Sequence, residues 1–356
     1  MRHFCLAFAM VASLGLAQDG PYKVLKTVKV GGDGGFDYVT ADSEGRKLYV
    51  GRSGNPGRVN VFNLDTLEPA GEVANTMRVH GATASPRSGH GFASSSPVVM
   101  FDTKTFATIK TIDVKGNPDG YLYDSFNDRV LILSHSKPNI TAIDAKDGSI
   151  VGTIDDLGSG GDRVSAVEQA VTDGKGTIYA DLEDQHAIAV IDAKTLTVKT
   201  RYDLAGKGDG CAGLAIDAKN GILFAACRTP NVMVILSAKD GKILDTLPLA
   251  GSSDGAAFNP KTMEAFSSHG NGTLSIIKEN SPTSFVVEET LKTMSGGKTL
   301  TLDTKTDHIL IIAAEYAAPA PPPPDAPPPS AGQKGGRGGG RGQMVPGSFS
   351  IVVVGK

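Results

Sequence analysis

The chain has 356 residues, a formal net charge of −3, 40% hydrophobic residues, 44 glycines and no tryptophan. That is enough apolar sequence for a packed core. The small net charge gives no reason to expect nucleic acid or a charged membrane surface as an obligatory partner.

In chain order, the first segment reads as a secretory signal. Arg2 and His3 precede an apolar run from Phe4 to Leu16, and the small residues Gly15 and Ala17 set a cleavage point before Gln18. The run is too short for a comfortable membrane span, and no other stretch is long and apolar enough to make one. Residues 1–17 are therefore expected to leave, and residues 18–356 to form a soluble periplasmic or secreted monomer. Cys5 leaves with the signal. Cys211 and Cys227 remain, an even number in an oxidising compartment.

A repeat follows. Its unit is a short apolar strand, a turn opened by Asp, Asn or Ser, a second apolar strand, a loop, and a third strand. The turn openers are Asp42, Ser85, Asp124, Asp173, Asp217, Asn259 and Asp303, a period of about 43 residues. Asp and Asn hydrogen-bond their own turns, and the glycines that follow take positive φ without steric cost. Second strands such as Val130-Leu131-Ile132 and Ile309-Leu310-Ile311-Ile312 are apolar and β-branched. No segment keeps a helical period. Four short strands per period predict an all-β chain, a seven-bladed β-propeller of four-stranded antiparallel blades. The last unit lacks a fourth strand, while Tyr22 to Val30 is a spare one. This N-terminal strand is expected to close the ring and leave no unpaired edge.

Two stretches carry a resemblance. Leu48-Tyr49-Val50-Gly51-Arg52, followed by Val59-x-Val61-Phe62-x-x-Asp65-Thr66, resembles the YVTN-type β-propeller repeat, as does Ile188-Ala189-Val190-Ile191-Asp192-Ala193-Lys194-Thr195. The resemblance spans nearly the whole mature chain and implies an exported bacterial propeller. Most such proteins have no assigned activity. Related propellers include the heavy chain of methylamine dehydrogenase and bacterial lyases and lactonases.

Ala317 to Pro346 interrupts the last unit with a Pro-rich half and a Gly/Arg-rich half. It is expected to be an unfolded arm over the face that carries the blade-to-blade crossovers, called the top here.

Five residues before each turn opener lie Asp37, His80, Asp119, Glu168, Ala212, Asp254 and Lys298. They fall near the top of each innermost strand, so the six polar ones are expected to converge on the central channel as a ligand site. Four carboxylates against Lys298 and His80 make a negative mouth, which suggests a divalent cation as the cofactor class. The polar ring has a structural alternative, capping backbone groups freed where the strands begin. His135, His186 and His269 fall in top-face loops and are expected to be surface histidines without a common ligand. A Gly-x-Ser-x-Gly string occurs at Gly251-Ser252-Ser253-Asp254-Gly255, but no helical period follows it to make a nucleophile elbow, and phosphate loops and haem motifs are absent from the sequence. The leading expectation is a binding or scaffold protein that takes a small molecule or protein on its top face. The alternative is a metal-dependent lyase or lactonase-like hydrolase, with His80, Asp119 and Glu168 as acid, base and ligand. Finally, a hairpin centred on Lys219 places Cys211 opposite Cys227, within reach of a disulfide.

Overall fold

The computed structural model describes residues 20–155, 157, 166–318 and 342–356. The expected signal and residues 319–341 of the insertion lie outside them. The described residues form seven four-stranded antiparallel sheets arranged as a seven-bladed propeller. Six blades use four consecutive strands. The seventh is ordered from the outside as Lys23–Lys29, Ser350–Gly355, His308–Ala313 and Gly297–Asp303. The N-terminal strand thus closes the ring, pairing from Lys23 opposite Gly355 to Lys29 opposite Ser350.

Burial explains the strand composition. Middle strands are covered on both faces by the neighbouring blades, and Ser350–Gly355 is buried throughout. Such strands read as continuous apolar runs rather than alternating ones. Outer strands such as Lys23–Lys29 are almost wholly exposed and mix lysines with apolar residues. Seven buried clusters result, one at each blade-to-blade contact. Leu131 and Ile178 meet between blades 3 and 4, and Leu48 and Ile312 across the closure. Each buried Leu or Ile contributes about 1.5–3 kcal/mol, so stability is spread around the ring. No helix among the described residues is long and apolar enough to cross a membrane.

The hairpin of blade 5 corrects the sequence-derived register by one residue. Asp217 pairs with Ile222, Leu214 with Ala225, and Gly213 with Ala226. A bulge at Ala212 then shifts the ladder, so Cys211 still faces Cys227, with the sulfurs 2.00 Å apart. Two offsets cancel: a tighter turn and one extra residue. In blade 2, Ser85 opens its turn as Asp does elsewhere, accepting from Ser88 N at 3.1 Å. The insertion's boundaries also narrow. Ala317 N donates to Gln343 O and Val345 N to Glu315 O, each at 2.9 Å, so the flanks meet in an isolated antiparallel bridge between Tyr316 and Met344.

The Gly-rich crossover before blade 1 wraps a buried cation. Arg52, 1% exposed, donates to the carbonyls of Gly31, Gly32, Asp33 and Gly34 at 3.0–3.1 Å. Its guanidinium lies 4.1 Å from the Phe349 ring centroid. Gly34 cannot be replaced: its φ is +92°, and a Cβ there would lie 2.0 Å from Ser53 O.

Candidate functional site

A single backbone device builds the site. Six of the seven innermost strands break register near their upper end, at Phe36/Val39, Pro118/Tyr121, Val167/Ala170, Cys211/Gly213, Ser253/Gly255 and Gly297/Leu300. The residues inside these breaks include Asp37, Asp119, Glu168, Ala212, Asp254 and Lys298. A bulge frees its residue from the ladder and re-aims the side chain. In blade 2, His80 stands just before the strand Ala82–Ser85.

Five blades bring their side chains into one cluster. His80 Nδ1 lies 2.7 Å from Asp119 Oδ1 and 2.9 Å from Asp37 Oδ2. His135 Nε2 lies 3.0 Å from Asp119 Oδ2 and 3.9 Å from Glu168 Oε2. The Tyr38 hydroxyl is 3.3 Å from Asp119 Oδ2 and 3.2 Å from Glu168 Oε2. Lys298 Nζ ion-pairs with Asp37 Oδ1. Asp254 stands apart from this group and pairs with Arg228 at 3.0 Å; the same guanidinium ion-pairs with Glu183.

The electrostatics follow from burial set against close partners. Burial opposes ionisation of Asp119, but hydrogen bonds and charge from His135 and His80 hold its carboxyl far below the usual range. Burial likewise pushes His80 down, yet Asp119 and Asp37 lift it to about 9. One Nδ1–H carries one proton, so two carboxylates compete for it. Burial also opposes the charged forms of Asp37 and Lys298. For Asp37, the His80 hydrogen bond and the Lys298 charge win and lower it; for Lys298, the charge of Asp37 wins and raises it. Burial, with the charges of Asp119 and Glu168, holds the Tyr38 phenol well above its ordinary value, so it remains a donor.

Behind the cluster, Asp181 fixes the blade 4 bulge. Its Oδ1 accepts from the amides of Glu168 and Gln169 at 3.2 and 2.8 Å. Burial first, then the charges of Glu168 and Glu183, raise Asp181 well above the carboxylate range. It caps the two amides that the bulge frees. Below the mouth the channel opens into a cavity of about 240 Å³ lined by Tyr38, Thr40, Tyr121, Gln169, Thr299 and Thr301 among others. That is room for a small polar molecule rather than a drug-sized one.

The structure corrects the reading of two histidines. His135 is not a surface residue: its side chain is 18% exposed and touches Asp119. His269 is buried at 1%, 3.0 Å from Ser275 Oγ. His186 is half exposed and pairs with Asp209. Sequence reasoning also missed Tyr38, Asp181, Glu183 and Arg228. A signal was present: second strands end where first strands begin, and Pro118 pairs with Ser134. Residues at second-strand ends therefore face the bulges.

No protein-family model and no curated protein matches the sequence. The resemblance to the YVTN-type family therefore rests on its motifs alone. Among solved structures, one chain from "Crystal Structure of Mitotic Checkpoint Complex" aligns with a TM-score of 0.68 at 13% identity. The alignment covers 87% of this chain and 96% of that one. At that identity the likeness shows the propeller fold alone.

Proposed function

We propose that this is an exported binding protein whose top face takes a small ligand at the mouth of the central channel. One observation carries the reading: bulges and strand ends from blades 1 to 4 drive Asp37, His80, Asp119, His135 and Glu168 into one cluster. A mouth selected for stability alone would be apolar, since crowding carboxylates out of water is costly. Proteins break such rules chiefly at functional sites. Export is supported by the residues preceding Gln18, and the disulfide suits that compartment. The similar chain belongs to a protein complex, which leaves a protein partner on this face as a second kind of ligand.

Thermal-shift titration with divalent cations and small anions tests the site. A ligand that binds only the folded chain at a hundred times its Kd stabilises by about 2.7 kcal/mol. The expected result is stabilisation that disappears when both Asp37 and Asp119 become Asn. The proposal fails if no ligand shifts the parent, or if the double variant responds as the parent does.

One observation favours a second reading, a metal-dependent lyase or lactonase-like hydrolase: His135 joins His80 beside the same carboxylate. A metal there would supply Lewis acidity, with an imidazole or Glu168 positioned to move a proton. Metal-dependent opening of a simple lactone, abolished by His80→Ala, would support it.

A further inference from the structure

We infer that the mouth is a two-cation centre in which Asp119 is the bridging carboxylate. The inference deepens the proposed ligand site and rests on it. Two groups of potential ligand atoms occur among the described residues, Asp37–His80–Asp119 and Asp119–His135–Glu168. Within each, all the atoms lie within 4.8 Å of one another, and the two groups share Asp119 alone. The carboxylate is divided between them. Oδ1 faces His80 at 2.7 Å and Oδ2 faces His135 at 3.0 Å. Each side thus offers one imidazole nitrogen, one carboxylate of its own and one oxygen of Asp119.

The spacing suits ligands of two ions better than ligands of one. Around an ion with bonds of about 2.1 Å, neighbouring donors sit roughly 3 Å apart. The histidine-to-carboxylate gaps on the two sides run from 2.7 to 3.9 Å, and all ligand atoms of a side lie within 4.8 Å, so small side-chain movements complete each shell. Three protein ligands leave positions open for water or a bound molecule. One nitrogen with two oxygens suits zinc, manganese or cobalt, and the lack of thiolate or thioether argues against copper(I).

Outer contacts hold the ligands in place, as metal sites require. Lys298 ion-pairs with the second oxygen of Asp37. Thr299 Oγ1 donates to the Asp37 carbonyl at 2.6 Å. The Tyr38 hydroxyl reaches both Asp119 Oδ2 and Glu168 Oε2. Two divalent ions more than cancel the charge of Asp37, Asp119 and Glu168. The filled centre therefore takes an anionic oxygen ligand at its open positions, a small oxyanion over the cavity below.

Counting ions tests this. The full mature chain is stripped with chelator, equilibrated with manganese or zinc with and without inorganic phosphate, and assayed by elemental analysis. The expected counts are two ions per chain for the parent, one each for His80→Ala and His135→Ala, and none for Asp119→Ala. Asp119→Asn keeps the shape of the side chain and covers failure of the alanine variant to fold. Bound manganese should give the electron paramagnetic resonance signal of a coupled pair in the parent and of an isolated ion in either histidine variant. Phosphate should tighten manganese retention at least tenfold in the parent alone. A single ion in the parent, or the same count after either histidine is removed, overturns the two-cation centre while leaving a ligand site at the mouth. No bound ion, together with no stabilisation by any cation or anion, overturns both.

Discussion

The two ends of the seven innermost strands present the same repeated opportunity and use it differently. At the bottom, the turn openers share one local task, capping their own turns, even where one such as Asp303 also reaches a neighbouring blade. Asp42 accepts from Gly45 N, Asp124 from Phe126 N, Asp173 from Lys175 N, Asp217 from Lys219 N and Asn259 from Lys261 N, at 2.7–3.1 Å. Seven positions perform one structural task, so one residue type serves with little variation. At the top, the bulge residues differ from blade to blade and reach across blades instead of into their own turns. Blade 5 even has Ala212 there, beside the Cys211–Cys227 pair. Repetition with uniform chemistry marks a structural ring. Repetition of geometry with divergent chemistry marks the candidate site.

Three experiments would break or sharpen this contrast. The largest effect is expected from deleting residues 18–30. The strand Lys23–Lys29 spans the full height of blade 7, and Tyr22 is anchored by its hydroxyl on Glu264 and its amide on Glu289. Its loss exposes the edge of Ser350–Gly355 and should cost more than about 4 kcal/mol, beyond the range of ordinary substitutions. Urea denaturation gives the value, and an unchanged midpoint would refute closure by this strand.

Next comes Asp303→Ala at the bottom. Asp303 holds Arg46 through two contacts of 2.8 Å and also caps its own turn at Lys305 N. Breaking a buried pair costs about 3–5 kcal/mol. Here roughly 2–3 kcal/mol is expected, because Asp65 still engages Arg46. Cation-dependent stabilisation should be unchanged. A variant that folds normally yet loses its cation response would erase the distinction between the two ends.

The smallest effect concerns pH. Burial lowers His269 to about 4, so the folded chain keeps it neutral. The unfolded chain takes up this proton near pH 6.5. Stability should therefore be full above that pH and decline as pH falls towards 4, by at most about 1.4 kcal/mol per pH unit. His269→Gln should flatten that part of the pH profile. An unaltered profile would mean that His269 is not held neutral.

Much of the site was legible in the sequence, for a physical reason. Position relative to a turn opener fixes height along an inner strand, so counting back five residues found Asp37, Asp119, Glu168, Asp254 and Lys298. It could not show that these residues sit in bulges, because a bulge is a mismatch between two strands and has no signature in one of them. Counting along the first strands alone also left out His135 and Arg228, which stand at second-strand ends and come close to Asp119 and Asp254 through the pairing of those ends and contacts across blades.

The sequence by itself determined the number of blades, the closing strand and the identity of the polar ring. Those follow from period, patterning and turn chemistry, which are local. The tertiary structure alone decided which ring members meet. Asp119 is shared between two histidines while Asp254 is drawn away to Arg228, because the side chains that surround each bulge come from neighbouring blades.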